Sequence, residues 1–326
     1  MKAMTYSNYG PPDVLKPTEL PKPVPKPNEV LVRIHATSVT SGDYRARSLD
    51  MPPGFGLIGR LVFGLFRPRR EVLGTEFAGT VEAIGKDVTC FKPDDRVLAY
   101  PGAGFGGYAE YAVISENAAI ALVPENLELD EAVAIPFGGA TALDFLRNKA
   151  GIKPGDQVLI IGAAGAVGSA AVQLAKYFGA HVTGVASTGS LDMVHTLGAD
   201  TLLDYTSQNA ADASDAYDII LDTSGTATFA KYGEALKPGG RLFLVSADLW
   251  QLLGTLLARK TGGRKASGGY SPERAEDLQF LVSLAESGQF RPYIDQRFPL
   301  EQTAEAHAYF ESPARKGNVV ITLGPA

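Results

Sequence analysis

The pattern of hydrophobic positions changes near Pro124. Before this residue, short stretches with alternating hydrophobic positions are separated by Gly and Pro, and seven prolines between residues 11 and 27 exclude helix there. The pattern predicts strands at residues 30–36, 72–84, 96–99 and 108–113. These strands predict a compact, barrel-like β domain.

Beyond Pro124 the pattern predicts helices that alternate with strands. A helical pattern over residues 130–150 leads into predicted strands at 158–161, 181–185, 219–222 and 241–245, with helices at 167–178, 191–197 and 229–236 between them. This alternation predicts a parallel sheet with crossover helices. A basic, Gly/Ser-rich patch at 259–269 predicts a mobile loop. We expect the last part, with helices at 274–286 and 301–310 and strands at 293–298 and 319–323, to return to the barrel domain.

Composition limits the classes of function. The 326 residues are 45% hydrophobic and 20% charged, which suits two globular domains, and the net charge of -6 offers no basic field for nucleic acid. Cys90 is the only cysteine, which excludes disulfides within the chain and thiolate metal clusters and fits the cytoplasm. The N-terminus lacks a signal-peptide pattern, and no apolar run reaches the about 18 residues of a membrane span. We therefore expect no membrane partner; the apolar stretch 55–66 is too short to span a bilayer, although it could be an exposed lid.

A glycine-rich turn follows the first strand of the alternating region. Residues 158–168 read Val-Leu-Ile-Ile-Gly-Ala-Ala-Gly-Ala-Val-Gly and lead into a helix, which is the context of a dinucleotide-binding turn. Backbone amides can approach a pyrophosphate at Gly165, a glycine at 168 allows the helix to pack closely on the strand, and the helix N-terminus favours phosphate. The residues expected to bind the cofactor here are Gly162, Ala164, Gly165, Ala166, Val167 and Gly168.

The end of the second predicted strand indicates which cofactor is bound. An NAD enzyme usually carries Asp or Glu there to bind the ribose 2′-hydroxyl. This chain carries Ser187 and Thr188, so two hydroxyls are available for a 2′-phosphate and the expected cofactor is NADPH. Alternatively, these residues are a polar turn that caps the next helix, a role compatible with phosphate binding.

Several motifs carry a family resemblance. They are Leu-Gly-Thr-Glu-Phe-Ala-Gly-Thr-Val at 73–81, Gly-Tyr-Ala-Glu-Tyr at 107–111, Gly-Ala-Thr-Ala at 139–142, the glycine-rich turn, and Gly-Asn-Val-Val-Ile at 317–321. In this order they resemble the medium-chain dehydrogenase/reductase superfamily, above all its quinone-oxidoreductase-like branch. The resemblance implies an α/β protein: a GroES-like β-barrel catalytic domain, residues 1–122 and 290–326, interrupted by a Rossmann doubly wound parallel sheet, residues 123–289. It also implies an active site in a cleft between the domains and a homodimer.

The resemblance also bears on zinc. In the zinc alcohol dehydrogenases of the superfamily, Cys, His and Cys ligands fall at positions that match Thr40, Thr75 and Gly138 or Gly139 of this chain. A catalytic zinc needs about three ligands from Cys, His and carboxylate. The four histidines are dispersed without paired spacing, so we expect no metal; they are His35, His181, His195 and His307.

Candidate catalytic residues lie where the resembled branch carries Asn-x-x-Asp-x-x-x-Arg. They are Thr40, which replaces the Asn, together with Asp43, Tyr44 and Arg47. Without zinc, a carbonyl oxygen that gains charge needs hydrogen-bond donors or a general acid. Tyr44 is the expected proton donor or oxygen anchor. Asp43 and Arg47, four residues apart, could instead form a purely structural ion pair.

Further cofactor contacts are expected at the carboxyl ends of the parallel strands. Tyr205 resembles a family tyrosine near the adenosine phosphate, and Thr223 and Ser246 should border the nicotinamide half. Thr141 resembles a threonine that meets the nicotinamide side, with helix capping as the alternative. Asn318 lies where the family commonly has Lys, so a charged cofactor contact of relatives is expected to be lost.

These residues together predict a zinc-free, NADPH-dependent oxidoreductase that transfers hydride to a quinone or an α,β-unsaturated carbonyl. Two alternatives are a zinc-free alcohol or aldehyde reductase acting on C=O and a non-catalytic NADPH-binding sensor. Apolar segments at 51–66 and 249–253 could line a pocket for a small hydrophobic electrophile or form a dimer contact.

Overall fold

The computed structural model describes residues 1–258 and 263–324. The strands are β1 Lys2–Thr5, β2 Lys16–Glu19, β3 Glu29–Val39, β4 Phe77–Ile84, β5 Arg96–Ala99, β6 Tyr111–Ser115, β7 Ile120–Leu122, β8 Gln157–Ile161, β9 His181–Ala186, β10 Thr201–Asp204, β11 Tyr217–Asp222, β12 Leu236–Leu244, β13 Lys265–Gly268, β14 Ile294–Pro299 and β15 Asn318–Thr322. The helices are α1 Ser41–Ser48, α2 Gly56–Phe63, α3 Leu129–Ala132, α4 Pro136–Leu143, α5 Ala166–Tyr177, α6 Leu191–Thr196, α7 Phe229–Tyr232, α8 Leu249–Ala258, α9 Ala275–Glu286 and α10 Thr303–Phe310. A π-helical segment, Asp144–Lys149, continues α4. Among the described residues, no helix combines the length and the apolar character needed to cross a membrane.

Contacts divide the chain into two compact units. The first consists of Met1–Met51, Gly56–Ala140 and Glu273–Ala326, and the second of Pro52–Phe55 and Thr141–Pro272. The sequence-based domain boundaries, after residues 122 and 289, differ from the boundaries of these contact-defined units. The domain boundaries therefore stay a prediction.

The first unit contains a seven-stranded sheet in the order β14-β15-β3-β4-β5-β7, with β6 also paired to β3. Strand β3 occupies the centre because most of its side chains are buried and hydrophobic. The strand predicted at 72–84 begins only at Phe77. Before this strand, Gly74 has φ +98°, a conformation that bends the chain. Gly74 also lies so close to Gly107 that a Cβ at Gly74 would be 2.4 Å from the Gly107 Cα. As expected, the C-terminal strand β15 returns to this sheet, antiparallel to β3.

The second unit is built on a six-stranded sheet in the order β10-β9-β8-β11-β12-β13, and every neighbouring pair is parallel. This order reverses between β8 and β11, as in doubly wound folds, so the predicted parallel sheet is confirmed. The helix predicted at 229–236 ends at Tyr232, and Leu236 already begins β12. The loop predicted at 259–269 is wrong in part, since β13 pairs along β12 as the edge strand; residues 259–262 lie outside the described part of the chain.

A chain of buried polar side chains ties α1 to α10. The Arg47 Nε donates to His307 Nδ1 at 3.1 Å. Because an arginine can only donate, the neutral imidazole carries its proton on Nε2, which lies 3.0 Å from the Tyr108 hydroxyl. That hydroxyl donates to the Ser38 carbonyl at 3.2 Å. Burial and the neighbouring Arg47 charge hold the pKa of His307 well below its usual value, so the ring stays neutral.

Glu76, immediately before β4, is a fully buried carboxyl. Its Oε1 accepts from the Ser38 hydroxyl, and its Oε2 accepts from the Phe137 N–H of α4 at 2.7 Å. Burial raises the pKa of Glu76 to about 8 against the lowering effect of these two hydrogen bonds, and the nearby Asp43 carboxylate adds to the rise. The carboxyl is therefore mostly protonated at neutral pH.

Glu76→Gln is expected to fold with near wild-type stability at neutral pH and to flatten the pH dependence of unfolding. In the native chain, folding raises the pKa of this carboxyl from 4.5 to about 8, so the stabilisation is complete below the unfolded value and is lost as pH rises through the folded one. A glutamine does not titrate: its carbonyl oxygen can accept from the Phe137 N–H, and its amide group can donate to the Ser38 hydroxyl oxygen. Urea unfolding from acid to mildly alkaline pH measures the slope. Glu125→Gln, at an exposed position, is the control, and an unchanged slope in the Glu76 variant would contradict the assignment.

Candidate functional site

Helix α1 starts with a capping box. The Thr40 hydroxyl accepts from the Asp43 N–H at 3.3 Å, and the Asp43 Oδ2 accepts from the Thr40 N–H at 3.0 Å. The sequence dictates this locally, because Thr and Asp three residues apart satisfy the first free amides of a helix. Two predicted catalytic residues therefore have a structural role in holding the start of α1.

Thr75 completes a triangle of polar atoms with these two residues. The Thr40 Oγ1 lies 2.9 Å from the Thr75 Oγ1 and donates to the Asp43 Oδ2 at 2.7 Å, and the Thr75 Oγ1 donates to the same oxygen at 3.1 Å. All three side chains are buried. The fold thus brings together the two positions that match the first zinc ligands of zinc alcohol dehydrogenases, and each presents a hydroxyl.

Asp43 is the charged centre of this triangle. Its Oδ1 accepts from the Gly74 N–H at 2.9 Å, so the carboxylate also fixes the loop before β4. Burial raises its pKa to about 6, even though hydrogen bonds from Thr40, Gly74 and Thr75 lower it. The carboxyl can therefore exchange a proton near neutral pH, and two hydroxyls lie next to it.

This donor set does not suit zinc. Protein zinc sites use Cys, His and carboxylate ligands, whereas the triangle offers two neutral hydroxyls and one carboxylate whose oxygens already accept four hydrogen bonds. Within residues 1–258 and 263–324, no group of three or more His, Cys, Asp or Glu could hold a metal ion.

Arg47 does not pair with Asp43. Its guanidinium instead contacts the Glu311 carboxylate, the Gly10 carbonyl and His307. The ion pair considered from the four-residue spacing is therefore wrong, because the Asp43 carboxylate is turned towards the start of α1 and the loop at Gly74. Arg47, itself buried, links α1 to His307 of α10 and to the exposed Glu311 just after that helix.

The partner of the Tyr44 hydroxyl is Asp50, which is not part of the triangle around Asp43. The phenol donates to the Asp50 carboxylate. Burial, followed by this hydrogen bond and the Asp50 charge, raises the pKa of Tyr44 to about 12. Its assignment as the proton donor stays a prediction, and the structure gives the phenol a carboxylate acceptor.

The glycine-rich turn between β8 and α5 has the geometry expected of a phosphate-binding turn. Gly162 has φ +79°, and a Cβ at Gly168 would lie 2.0 Å from the Gly162 carbonyl oxygen. Only glycine readily adopts this φ at residue 162 and permits this close approach of the backbone at residue 168. The helix α5 then packs with a row of buried small residues against the sheet.

A dinucleotide fits this turn. At Gly165, φ is -79° and an added Cβ would meet only the Gly162 carbonyl oxygen within 4 Å, at 3.6 Å. No side chain caps the N-terminus of α5, although it is a 12-residue helix. The open space and the uncapped amides together suit the pyrophosphate of a dinucleotide. The turn residues that would lie against it are Ala164, Gly165, Ala166, Val167 and Gly168.

A carboxylate lies where the sequence indicated none. Strand β10 pairs with β9 so that Asp204 lies beside Ala186, and its Oδ2 accepts from the Thr188 hydroxyl. The Oδ1 accepts from the Thr206 N–H at 2.9 Å and from its hydroxyl at 2.7 Å. The sequence-based expectation of NADPH considered only the end of β9, so it did not include this carboxylate.

The remaining predicted cofactor residues fall at several places. In the second unit, Thr223 follows β11 and donates to the Ile161 carbonyl at 2.9 Å, while Tyr205 is exposed after β10 and Ser246 follows β12. Thr141 is buried near the end of α4. In the first unit, Asn318 begins β15 and donates its side-chain N–H to the Tyr293 carbonyl at 3.0 Å. Their cofactor roles stay predictions.

Four residues of these networks were missed as candidates. Thr75 was considered only as a position that lacks a zinc ligand, and Glu76, Asp204 and His307 were not assigned a role. Their partners are distant in sequence, and no local pattern shows them. For Glu76, the available signal was a carboxyl inside an otherwise apolar and glycine-rich stretch, which requires a buried partner.

Comparison with known proteins identifies the family. The family models described as "Alcohol dehydrogenase GroES-like domain" and "Zinc-binding dehydrogenase" match residues 26–125 and 197–321. The chain is 32% identical to the 2-methylene-furan-3-one reductase of Solanum lycopersicum over 98% of this chain and 79% of that protein. It is 30% identical to the chloroplastic NADPH-dependent alkenal/one oxidoreductase of Arabidopsis thaliana, again over 98% and 79%.

A solved structure has a similar fold. The quinone oxidoreductase from Coxiella burnetii matches with a TM-score of 0.86 and 29% identity, covering 99% of each chain. The predicted GroES-like and Rossmann-type fold is thereby confirmed. Because similarity of this extent runs through nearly the whole chain, the protein belongs to the medium-chain dehydrogenase/reductase superfamily, in its quinone-oxidoreductase-like branch.

Proposed function

We propose that the protein is a zinc-free, NADPH-dependent oxidoreductase that transfers hydride to a quinone or to an α,β-unsaturated carbonyl compound. The observation that carries this proposal is the contact between the Thr40 and Thr75 hydroxyls at 2.9 Å, backed by Asp43. Hydroxyls occupy the two positions where a metal-dependent relative would hold ligands, so the substrate oxygen must be stabilised by hydrogen bonds.

The relatives support this class of substrate. Their names include a 2-methylene-furan-3-one reductase, an alkenal/one oxidoreductase and a quinone oxidoreductase. All three substrate names describe a carbonyl conjugated to a carbon–carbon double bond, or a quinone. A small hydrophobic electrophile of this kind is the proposed substrate.

The chain's contribution is binding, orientation and one proton. When bound, the reduced nicotinamide supplies the hydride, and the uncapped start of α5 would hold the pyrophosphate. Reduction of an enone or a quinone consumes one hydride and one proton. The Thr75 hydroxyl would donate its proton to the substrate oxygen, and the Thr40 hydroxyl would then re-protonate Thr75. Protonated Asp43 would in turn re-protonate Thr40. Asp43 is re-protonated before the next turnover.

The proposed preference for NADPH rests on two features. Ser187 and Thr188 supply hydroxyls after β9, and a relative bears the name of an NADPH-dependent enzyme. Asp204 opposes this preference, because its negative charge beside Thr188 would repel a 2′-phosphate and could accept from a ribose 2′-hydroxyl. The protein should therefore also use NADH.

We also propose a cytoplasmic homodimer. The homodimer follows the resemblance to the family. The one cysteine, Cys90, is free and exposed, which suits a reducing compartment.

Turnover of NADPH with quinones, enones, alkenals and plain aldehydes tests the reaction directly. We expect oxidation at 340 nm with quinones or enones, a saturated ketone as the product from an enone, and the same rate after treatment with a chelator. Allylic alcohol as the product would favour a C=O reductase. Binding of NADPH without turnover of any compound would favour a sensor, and loss of activity with chelator would contradict the zinc-free assignment.

Thr75→Val is expected to lower kcat by about 100-fold, because it removes the hydroxyl next to the substrate oxygen. Thr75→Ser should remain within a few-fold of the native rate. In the native protein, kcat should fall as pH rises through about 6, since the protonated form of Asp43 supplies the proton. Steady-state kinetics across this range, with thermal unfolding as the folding control, measure both effects. Equal rates for the Val and Ser variants would exclude the proposed proton path.

Asp204→Asn is expected to raise the ratio of kcat/KM for NADPH over NADH by severalfold to about tenfold. The reason is that one negative charge near the 2′-phosphate is removed while the contact with Thr188 is kept. Asp13→Asn changes the net charge equally at an exposed position of the first unit and is the matched control. A ratio that does not change, or that changes equally in both variants, would argue against this role for Asp204.

A further inference from the structure

The helix α2 presents a hydrophobic face to solvent. Leu57, Ile58, Leu61 and Val62 are 69%, 51%, 55% and 51% exposed. Their spacing places them on one side of the helix. Leu65 and Phe66, just beyond the helix, are 45% and 87% exposed. These six side chains form what we call the α2 face, which is large for a two-turn helix in a water-soluble domain.

The opposite side of α2 is anchored, so the orientation of the α2 face is fixed. Gly59 is buried, and a Cβ there would lie 2.6 Å from the Met51 side chain. The Phe63 ring packs on the Phe105 ring with centroids 6.2 Å apart. After the helix, the Gly64 carbonyl accepts from the Tyr9 hydroxyl at 2.7 Å. The α2 face is therefore held outward by packing against the first unit.

Four arginines lie within α2 or just after it. Arg60, Arg67, Arg69 and Arg70 are all exposed, and residues 51–70 contain no Asp or Glu. Arg69 and Arg70 line a shallow groove of about 240 Å³ together with Val62. The Arg60 guanidinium donates to the Leu65 carbonyl at 3.0 Å, and the Arg69 N–H donates to the Phe63 carbonyl at 2.8 Å, so both residues lie against the segment that carries the α2 face. This segment is thus strongly basic although the chain has a net charge of -6.

We infer that the α2 face docks on an anionic lipid surface, in contrast to the sequence-based expectation of no membrane partner, which considered only signal peptides and membrane-spanning segments. Exposed Leu, Ile, Val and Phe side chains next to arginines are the combination that enters the boundary between headgroups and acyl chains, with the helix lying along the surface. A second copy of the chain is a poorer occupant. In a two-fold contact the same patch meets itself, and the four arginines of each copy would outnumber the two flanking acidic residues, Asp50 and Glu71. This inference does not depend on the proposed reaction.

The docking can be tested by sedimentation of the full-length protein with lipid vesicles. We expect binding to vesicles of phosphatidylcholine and phosphatidylglycerol, weaker binding at raised salt, and little binding to phosphatidylcholine alone. Leu61→Glu should lower the partition coefficient by about tenfold or more, since it removes one inserted apolar side chain and adds a negative charge. Leu122→Glu, at a 54% exposed position on β7, is the matched control and should bind as the native chain does.

A second pair of variants tests the charges. Arg67→Gln should weaken binding to the anionic vesicles by severalfold, while Lys86→Gln, which removes one exposed charge elsewhere, should not. Circular dichroism confirms that each variant folds. The inference is overturned if neither vesicle is bound, if Leu61→Glu and Leu122→Glu bind equally, or if sedimentation velocity shows a dimer that Leu61→Glu dissociates.

Discussion

A buried carboxylate must find hydrogen-bond donors, and in this protein Asp43 finds them on two segments that are distant in sequence. Its oxygens accept from Thr40 at the start of α1 and from Gly74 and Thr75 in the loop before β4. Losing any of these donors would leave charge uncompensated inside the first unit, which is far more costly than losing a surface hydrogen bond. The position of both segments therefore depends on this carboxylate.

The same constraint applies at the two positions that match zinc ligands in the zinc alcohol dehydrogenases which the sequence resembles. The fold still brings positions 40 and 75 together, and hydroxyl side chains there are satisfied by each other and by Asp43. Glu76, next in sequence, meets the same requirement in another way: burial keeps it protonated, and Ser38 and Phe137 bond to it. The pKa of Asp43, which accepts four hydrogen bonds, is therefore raised less than that of Glu76, which accepts two.

The proposed membrane docking would bring the protein close to the proposed substrates. Quinones and enones with long apolar parts dissolve in membranes. A reductase that lies on an anionic bilayer through the α2 face would encounter them at high local concentration. The arrangement requires no membrane-spanning helix, and the described residues contain none. Because α2 is anchored by Gly59 and Phe63, docking would not require this helix to unfold.

The sequence by itself determined the features that depend on local pattern. These include the parallel sheet, the barrel-like sheet, the glycine-rich turn at 162–168 and its context, and the lack of Cys and His at the zinc-ligand positions. Only the tertiary structure decided which polar atoms meet. It joined Thr75 to Thr40, directed Arg47 to Glu311, brought Asp204 to Thr188 across two neighbouring strands, and turned α2 outward. Periodicity and glycine positions are set by neighbours in sequence, whereas the partner of a buried or interstrand polar group is set by which distant segments pack against it.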